Sequence, residues 1–310
     1  HVFSGKGLIS DALLSTPAFA ISVAFAAGST VMLATRFGFP ISTTHALIGA
    51  LVGVGLFGSS AGVNFDRLTS TFLLPLLVSP FVALAATWLL YKSARHISSL
   101  FGLKKETCIC IGQEVLQGVE PGTDPQVTMA MMSAEIPTVS LDSELVCRQR
   151  YAGKVLGITA DTFIDKLHYL SSGIVGFARG LNDTPKIAAI LLMGTAISQT
   201  FAIVAVTVFM AAGALISTRK VAETLSHRIT EMDHGQGLSA NLVTGFVVIF
   251  ASKLGMPVST THVSSGALFG IGTITGKADW KMIGKILAAW VITLPVAALL
   301  GSIILLFKGI

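Results

Sequence analysis

The sequence predicts an all-α membrane protein, a polytopic helix bundle of two repeats with discontinuous helices, and three observations predict it. The first is composition: 52% of the 310 residues are hydrophobic and 12% charged, with a mean hydropathy of +0.77. That is far more apolar surface than a soluble domain of this length can bury. The second is a series of apolar stretches of membrane length. The third is a duplication. Gly38 to Gly55 (GFPISTTHALIGALVGVG) and Gly255 to Gly272 (GMPVSTTHVSSGALFGIG) agree at 11 of 18 positions without a gap, at a constant offset of 217.

Taken in chain order, apolar stretches run from Pro17 to Thr35, Leu68 to Leu90, Ile187 to Ile216, Leu238 to Ser252 and Ile283 to Phe307. Most reach the roughly 20 residues that a spanning helix needs; Leu238 to Ser252 is shorter and needs its neighbours to complete it. Arg36 falls on Lys253 at the same offset, so the register extends beyond the motif. Residues 1–92 then form the first transmembrane repeat and 166–310 the second. The chain starts at His1 rather than Met and shows no signal peptide, which reads as a fragment whose first repeat is truncated at its N-terminus.

Residues 93–165 depart from the apolar character. They hold 9 of the 16 acidic residues and all three cysteines, and read as a soluble insertion. Lys92, Arg95, Lys104 and Lys105 flank it on one side, and Arg148, Arg150, Lys154 and Lys166 on the other, which places it in the cytoplasm. Cys108, Cys110 and Cys147 make an incomplete ligand set, so reduced structural thiols are expected rather than a metal site or redox switch. A pI near 9.2 does not imply a nucleic-acid partner, because the basic residues are spread over loops and helix ends with no basic helix or aromatic platform.

Each copy of the duplicated motif is built to start a helix. Pro40 and Pro257 lack an N–H and disfavour helix in the residue before them, so an incoming helix stops at Gly38 or Gly255. Ser42 and Ser259 are good N-caps. Thr43, Thr44, Thr260 and Thr261 place hydroxyls in the first turn beside unpaired backbone N–H groups, an arrangement that attracts an anion. The alternative is that Ser, Thr and Gly only pack helices. Two copies in matching places, each behind a proline break, favour the site. For His45 and His262 a bond to a neighbouring carbonyl is the ordinary expectation, and a proton or phosphate contact the functional one.

Outside the insertion, only Asp183 among the carboxylates is closely flanked by apolar sequence, in Gly180-Leu-Asn-Asp-Thr-Pro-Lys186. An ionisable residue there is functional by default. Pro185 is expected to break the helix, so that Asn182, Asp183 and Thr184 offer hard oxygen ligands for a small cation such as sodium, or a carboxylate for a proton. The plainer reading is a salt bridge to Arg179 or Lys186 at the membrane surface.

GLNDTPK and the two Gly-x-Pro-x-Ser-Thr-Thr-His elements resemble the hallmarks of the inorganic phosphate transporter (PiT) family, and FARG before Leu181 and DHGQG at 233–237 fit its bacterial type. The resemblance covers nearly all of the chain except the insertion. It implies two inverted repeats and a secondary transporter that moves inorganic phosphate with sodium or protons across the inner cell membrane. It further implies that Ser42, Thr43, Thr44, Ser259, Thr260 and Thr261 bind the substrate and that Asn182 and Asp183 hold the coupling cation, with no other metal and no cofactor. A homo-oligomer is compatible with it. The family carries an Asn-Asp element in each repeat, whereas one is present here. Its expected partner lies 217 positions before Asn182, upstream of His1.

Three other classes compete with this reading. A sulfate permease on the same scaffold would meet a similar tetrahedral anion, but sulfate at neutral pH cannot donate a hydrogen bond to a carboxylate as protonated phosphate does. A membrane enzyme would need a nucleophile or clustered ligands, and the apolar part offers one carboxylate and two separated histidines. A receptor or channel would dissipate a gradient rather than build one.

Overall fold

Helix boundaries in the computed structural model, which describes residues 5–60, 62–102, 107–114, 138–143, 151–152, 158–193 and 197–307, follow the local start and stop signals closely. Helix α1, Pro17–Arg36, opens with Pro17 at its first position and with the Thr16 side chain accepting the Phe19 N–H. It ends where Gly38, at φ 74°, turns the chain out of the helix. The short helix α2, Thr43–Gly58, follows. Residues Phe65–Arg67 and a π-helical stretch, Leu68–Leu73, then lead into α3, Leu74–Leu100.

Further along the chain come α4, Ala160–Leu191, and α5, Gln199–Ser217. Helix α6, His234–Lys253, is followed by α7, Thr260–Thr275, and α8, Trp280–Phe307. Asp233 and Gln236 form a reciprocal capping box at the start of α6. This accounts for DHGQG and extends the short stretch Leu238 to Ser252 to 20 residues. Among the described residues, five segments are long and apolar enough to cross a membrane: Pro17–Arg36, Phe65–Leu100, Gln199–Ser217, His234–Lys253 and Trp280–Phe307. Large side chains on their outer faces stand clear of the protein, Leu215 at 91% and Phe209 at 76% exposure, as lipid-facing residues do.

Two expectations are corrected. Ile187 to Ile216 is not one apolar element, since α4 ends at Leu191 and α5 begins behind an N-cap at Ser198. The Ser198 hydroxyl accepts the Phe201 N–H and restarts the helix there. Pro185 does not break α4 either; it lies inside a continuous helix. One missing N–H is tolerated where the remaining turns stay hydrogen-bonded and neighbouring helices support the chain.

The chain divides into two compact units, one of His1–Tyr91 with Leu170–Ile310 and one of Lys92–Tyr169. In the second, β1 (Thr107–Glu114) pairs antiparallel with β2 (Thr138–Ser143), β3 (Tyr151–Ala152) and β4 (Ile158–Thr159). The β1–β2 register runs from Thr107 opposite Ser143 to Gly112 opposite Thr138. The backbone of Cys108 and Cys110 lies in β1, and Cys147 lies outside the described residues.

In the first unit the two sequence copies exchange partners. Gly49 and Gly53 of α2 leave so little room that an added Cβ would fall on the carbonyls of Leu294 and Ala298 in α8. Gly266 and Gly270 of α7, at the same offset, meet the carbonyls of Pro80 and Leu84 in α3. Each glycine-faced short helix thus packs backbone to backbone on the long helix of the other copy. The apolar core draws on both copies: Ile48, Leu51 and Val54 pack with Phe19 and Phe72 of their own copy and Leu305 of the other, and Val263, Ala267 and Ile271 with Val243 and Ile286 of their own and Ala83 of the other.

Candidate functional site

The two Ser-Thr-Thr-His elements adopt the same local structure. Ser42, at φ −90° and ψ 119°, accepts the His45 N–H at 3.0 Å; Ser259, at φ −102° and ψ 118°, accepts the His262 N–H at 3.2 Å. Both serines are extended, N-capping residues, and Gly255 has φ 69° where Gly38 has 74°. The predicted break, turn and restart are therefore present in both copies.

Breaking a helix inside the membrane frees carbonyls, and side chains from other elements take them up. In the first copy Lys220 donates to the Arg36 carbonyl, Thr224 to that of Gly38 and Trp290 to that of Pro40. In the second copy the Val258 carbonyl accepts from Lys186 Nζ at 2.6 Å, Asn182 Nδ2 at 3.1 Å and Thr44 Oγ1 at 3.4 Å. One carbonyl thus joins α4 to both helix starts.

Because α4 is continuous, Arg179, Asn182, Asp183 and Lys186 recur at helical spacing along one face. Asn182 Nδ2 donates to Asp183 Oδ1 at 2.9 Å, and Ser252 Oγ to Asn182 Oδ1 at 3.3 Å. Thr260 Oγ1 donates to Asp183 Oδ2 at 3.4 Å. Arg179 points its Nε at the Thr260 hydroxyl and its Nη2 at that of Thr261. Lys186 Nζ lies 3.6 Å from Asp183 Oδ1 and donates to Thr44 Oγ1 at 3.0 Å. The pair with Asp183 is not at the surface, since both side chains are about 95% buried.

Of the predicted residues, the structure brings together Thr44, Thr260, Thr261, Asn182 and Asp183. Ser42 and Ser259 cap the helices that carry the threonines, and Thr43 sits half-buried in the first turn of α2. Two cations and one carboxylate leave the cluster with a formal charge of +1 beside two helix N-termini, a field suited to an anion. The oxygens of Asn182, Asp183, Thr260 and Val258 are hard donors of the kind that a small cation takes.

The histidines lie elsewhere. Their rings meet edge to face at 4.4 Å, and His262 stacks on Trp290 at 3.8 Å. His262 Nδ1 faces the Leu76 carbonyl at 3.4 Å. Pro80, four residues on, has no N–H to bond that carbonyl, which also accepts from the Ser79 hydroxyl at 3.3 Å. Together the histidines border a cavity of about 450 Å³ whose other walls are mainly apolar, among them the exposed Leu77, Phe81 and Val291.

Sequence reasoning missed three contributors. Arg179 and Lys186 were read only as salt-bridge partners. The i, i+3, i+4, i+7 spacing of 179, 182, 183 and 186 would have placed them with Asp183 on a helix that Pro185 does not interrupt. Trp290 carried no signal, being one large residue in an apolar helix.

The chain is similar to several known proteins. A family model described as the phosphate transporter family matches residues 3–301. A protein of Pyrococcus horikoshii named as a phosphate permease is 30% identical over 96% of this chain and 81% of its own length. The inorganic phosphate transporter 2-1 of Arabidopsis thaliana, a chloroplastic protein, is 26% identical over 98% of this chain and 60% of its own length. A solved structure titled the sodium-dependent phosphate transporter shares the fold at a TM-score of 0.69, with 21% identity, over 99% of this chain and 84% of its own.

Proposed function

The chain belongs to the phosphate transporter family, and from that premise we propose that it carries inorganic phosphate through the cell membrane as a cation-coupled secondary transporter. The family and the fold are those of transporters rather than enzymes, and nothing in the comparisons favours sulfate. The observation that carries the proposal is the junction at Val258, where α4 brings Asn182 and Asp183 against the starts of both short helices.

In this reading phosphate enters between the first turns of α2 and α7. Their unpaired N–H groups and the hydroxyls of Thr44, Thr260 and Thr261 receive its oxygens, and Arg179, already on two of those threonines, adds a fixed positive charge. Asp183 accepts a hydrogen bond from a protonated phosphate oxygen, which sulfate cannot offer. Sodium is the coupling ion we infer, held by Asn182 and Asp183. The hard oxygen set supports it, as does the name of the structure that shares the fold. Without such an ion the dianion would exceed the single net positive charge of the cluster, and the uncompensated charge is costly at membrane depth. The exchanged packing of α2 on α8 and α7 on α3 supports two inverted repeats that move against each other around this junction.

Uptake of labelled phosphate by the purified protein in proteoliposomes tests the proposal. Uptake should be concentrative, require sodium and resist excess sulfate. Asp183→Asn should abolish sodium-dependent uptake while the protein still inserts in the membrane. Unchanged sodium-dependent uptake in that variant would sink the assignment.

A further inference from the structure

Lys186 is buried beside acceptors that already receive neutral hydrogen bonds, the Val258 carbonyl from Asn182 and Thr44 and the Asp183 carboxylate from Asn182 and Thr260. Its ammonium reaches a backbone carbonyl at 2.6 Å, a threonine hydroxyl at 3.0 Å and a carboxylate at 3.6 Å, and these come from the loop before α7, from α2 and from α4. A plain i,i+3 ion pair with Asp183 would leave the longest of these contacts as the shortest. Here the ammonium is drawn past the carboxylate to the junction of the two helix starts, where it is 6% exposed. Carbonyl, hydroxyl and carboxylate oxygens converging on one point are the ligands that a hard cation recruits, and an ammonium is a compact point charge able to occupy such a place.

The geometry points to Lys186 as a tethered cation: its ammonium fills one cation position of the transport site, so that each phosphate is carried with one coupling cation fewer than the same site needs when residue 186 is neutral. This rests on the transport reading above. It makes residue 186 the determinant of how much charge crosses with each phosphate. The tethered charge stays with the protein, whereas a sodium ion in its place would travel with the substrate.

Two measurements on the protein in proteoliposomes and in detergent test it. In Lys186→Gln, charge moved per labelled phosphate should rise by one positive charge relative to the unsubstituted protein, and sodium alone, without phosphate, should raise the melting temperature more than it does for the unsubstituted protein. A variant that transports phosphate with an unchanged charge ratio and gains no sodium stabilisation overturns the proposal. If Lys186→Gln does not fold, Lys186→Arg decides: an unchanged ratio supports the tethered cation, and a ratio higher by one charge overturns it. Failure of the unsubstituted protein to take up phosphate would instead defeat the transport reading, and the sodium-dependent melting shift would still report on Lys186.

Discussion

Ser42 and Ser259 show how much one hydroxyl can carry. Each side-chain oxygen accepts the N–H three residues on, fixing the first turn from which the threonines project. Ser42→Ala should cost about 1 kcal/mol of stability by loss of the cap, seen as a lower melting temperature in detergent. A melting temperature equal to that of the unsubstituted protein would show that the cap is not needed there. Legibility at this scale was uneven. The caps and the importance of Asp183 could be read from residue type and spacing, because both follow from local rules. The carbonyl contacts of Lys186 and Trp290 could not, because the Val258 and Pro40 carbonyls are brought near them only by the folded chain.

Among the elements, the two short helices are defined by what interrupts the chain before them and by what they pack on. The interruption was plain in the sequence: glycine, proline and serine at fixed places in both copies. At Pro185 the same rule misled, because that residue has no glycine turn before it and no capping serine after it, and the helix ran on. The packing was legible only as a pattern of small residues, with no sign of which helix would use it. Since the atoms facing Gly53 and Gly270 are backbone carbonyls, they cannot yield as a flexible side chain would. Gly53→Leu or Gly270→Leu should therefore cost at least the roughly 1–3 kcal/mol typical of overpacking, and reduce the monodisperse fraction in size-exclusion chromatography. Gly213→Ala, where an added Cβ meets nothing within 4 Å, is the matched control and should leave that fraction unchanged.

At the scale of the whole molecule, the exchange of partners makes the two copies mutually dependent. Fragments divided within residues 115–137 and produced separately should each fail to accumulate, and produced together should co-purify and recover phosphate uptake. A fragment that is stable and monodisperse alone would contradict this dependence. The exchange also bears on how the protein is made. Helix α2, with 16 residues, is about 24 Å long, short of the roughly 30 Å hydrocarbon core. Its packing partner α8 leaves the ribosome about 220 residues later, a delay of roughly 10–45 s at ordinary rates of synthesis. Throughout that interval a helix shorter than the hydrocarbon core keeps its glycine face in the lipid, so the packing of the first copy waits on a helix of the second.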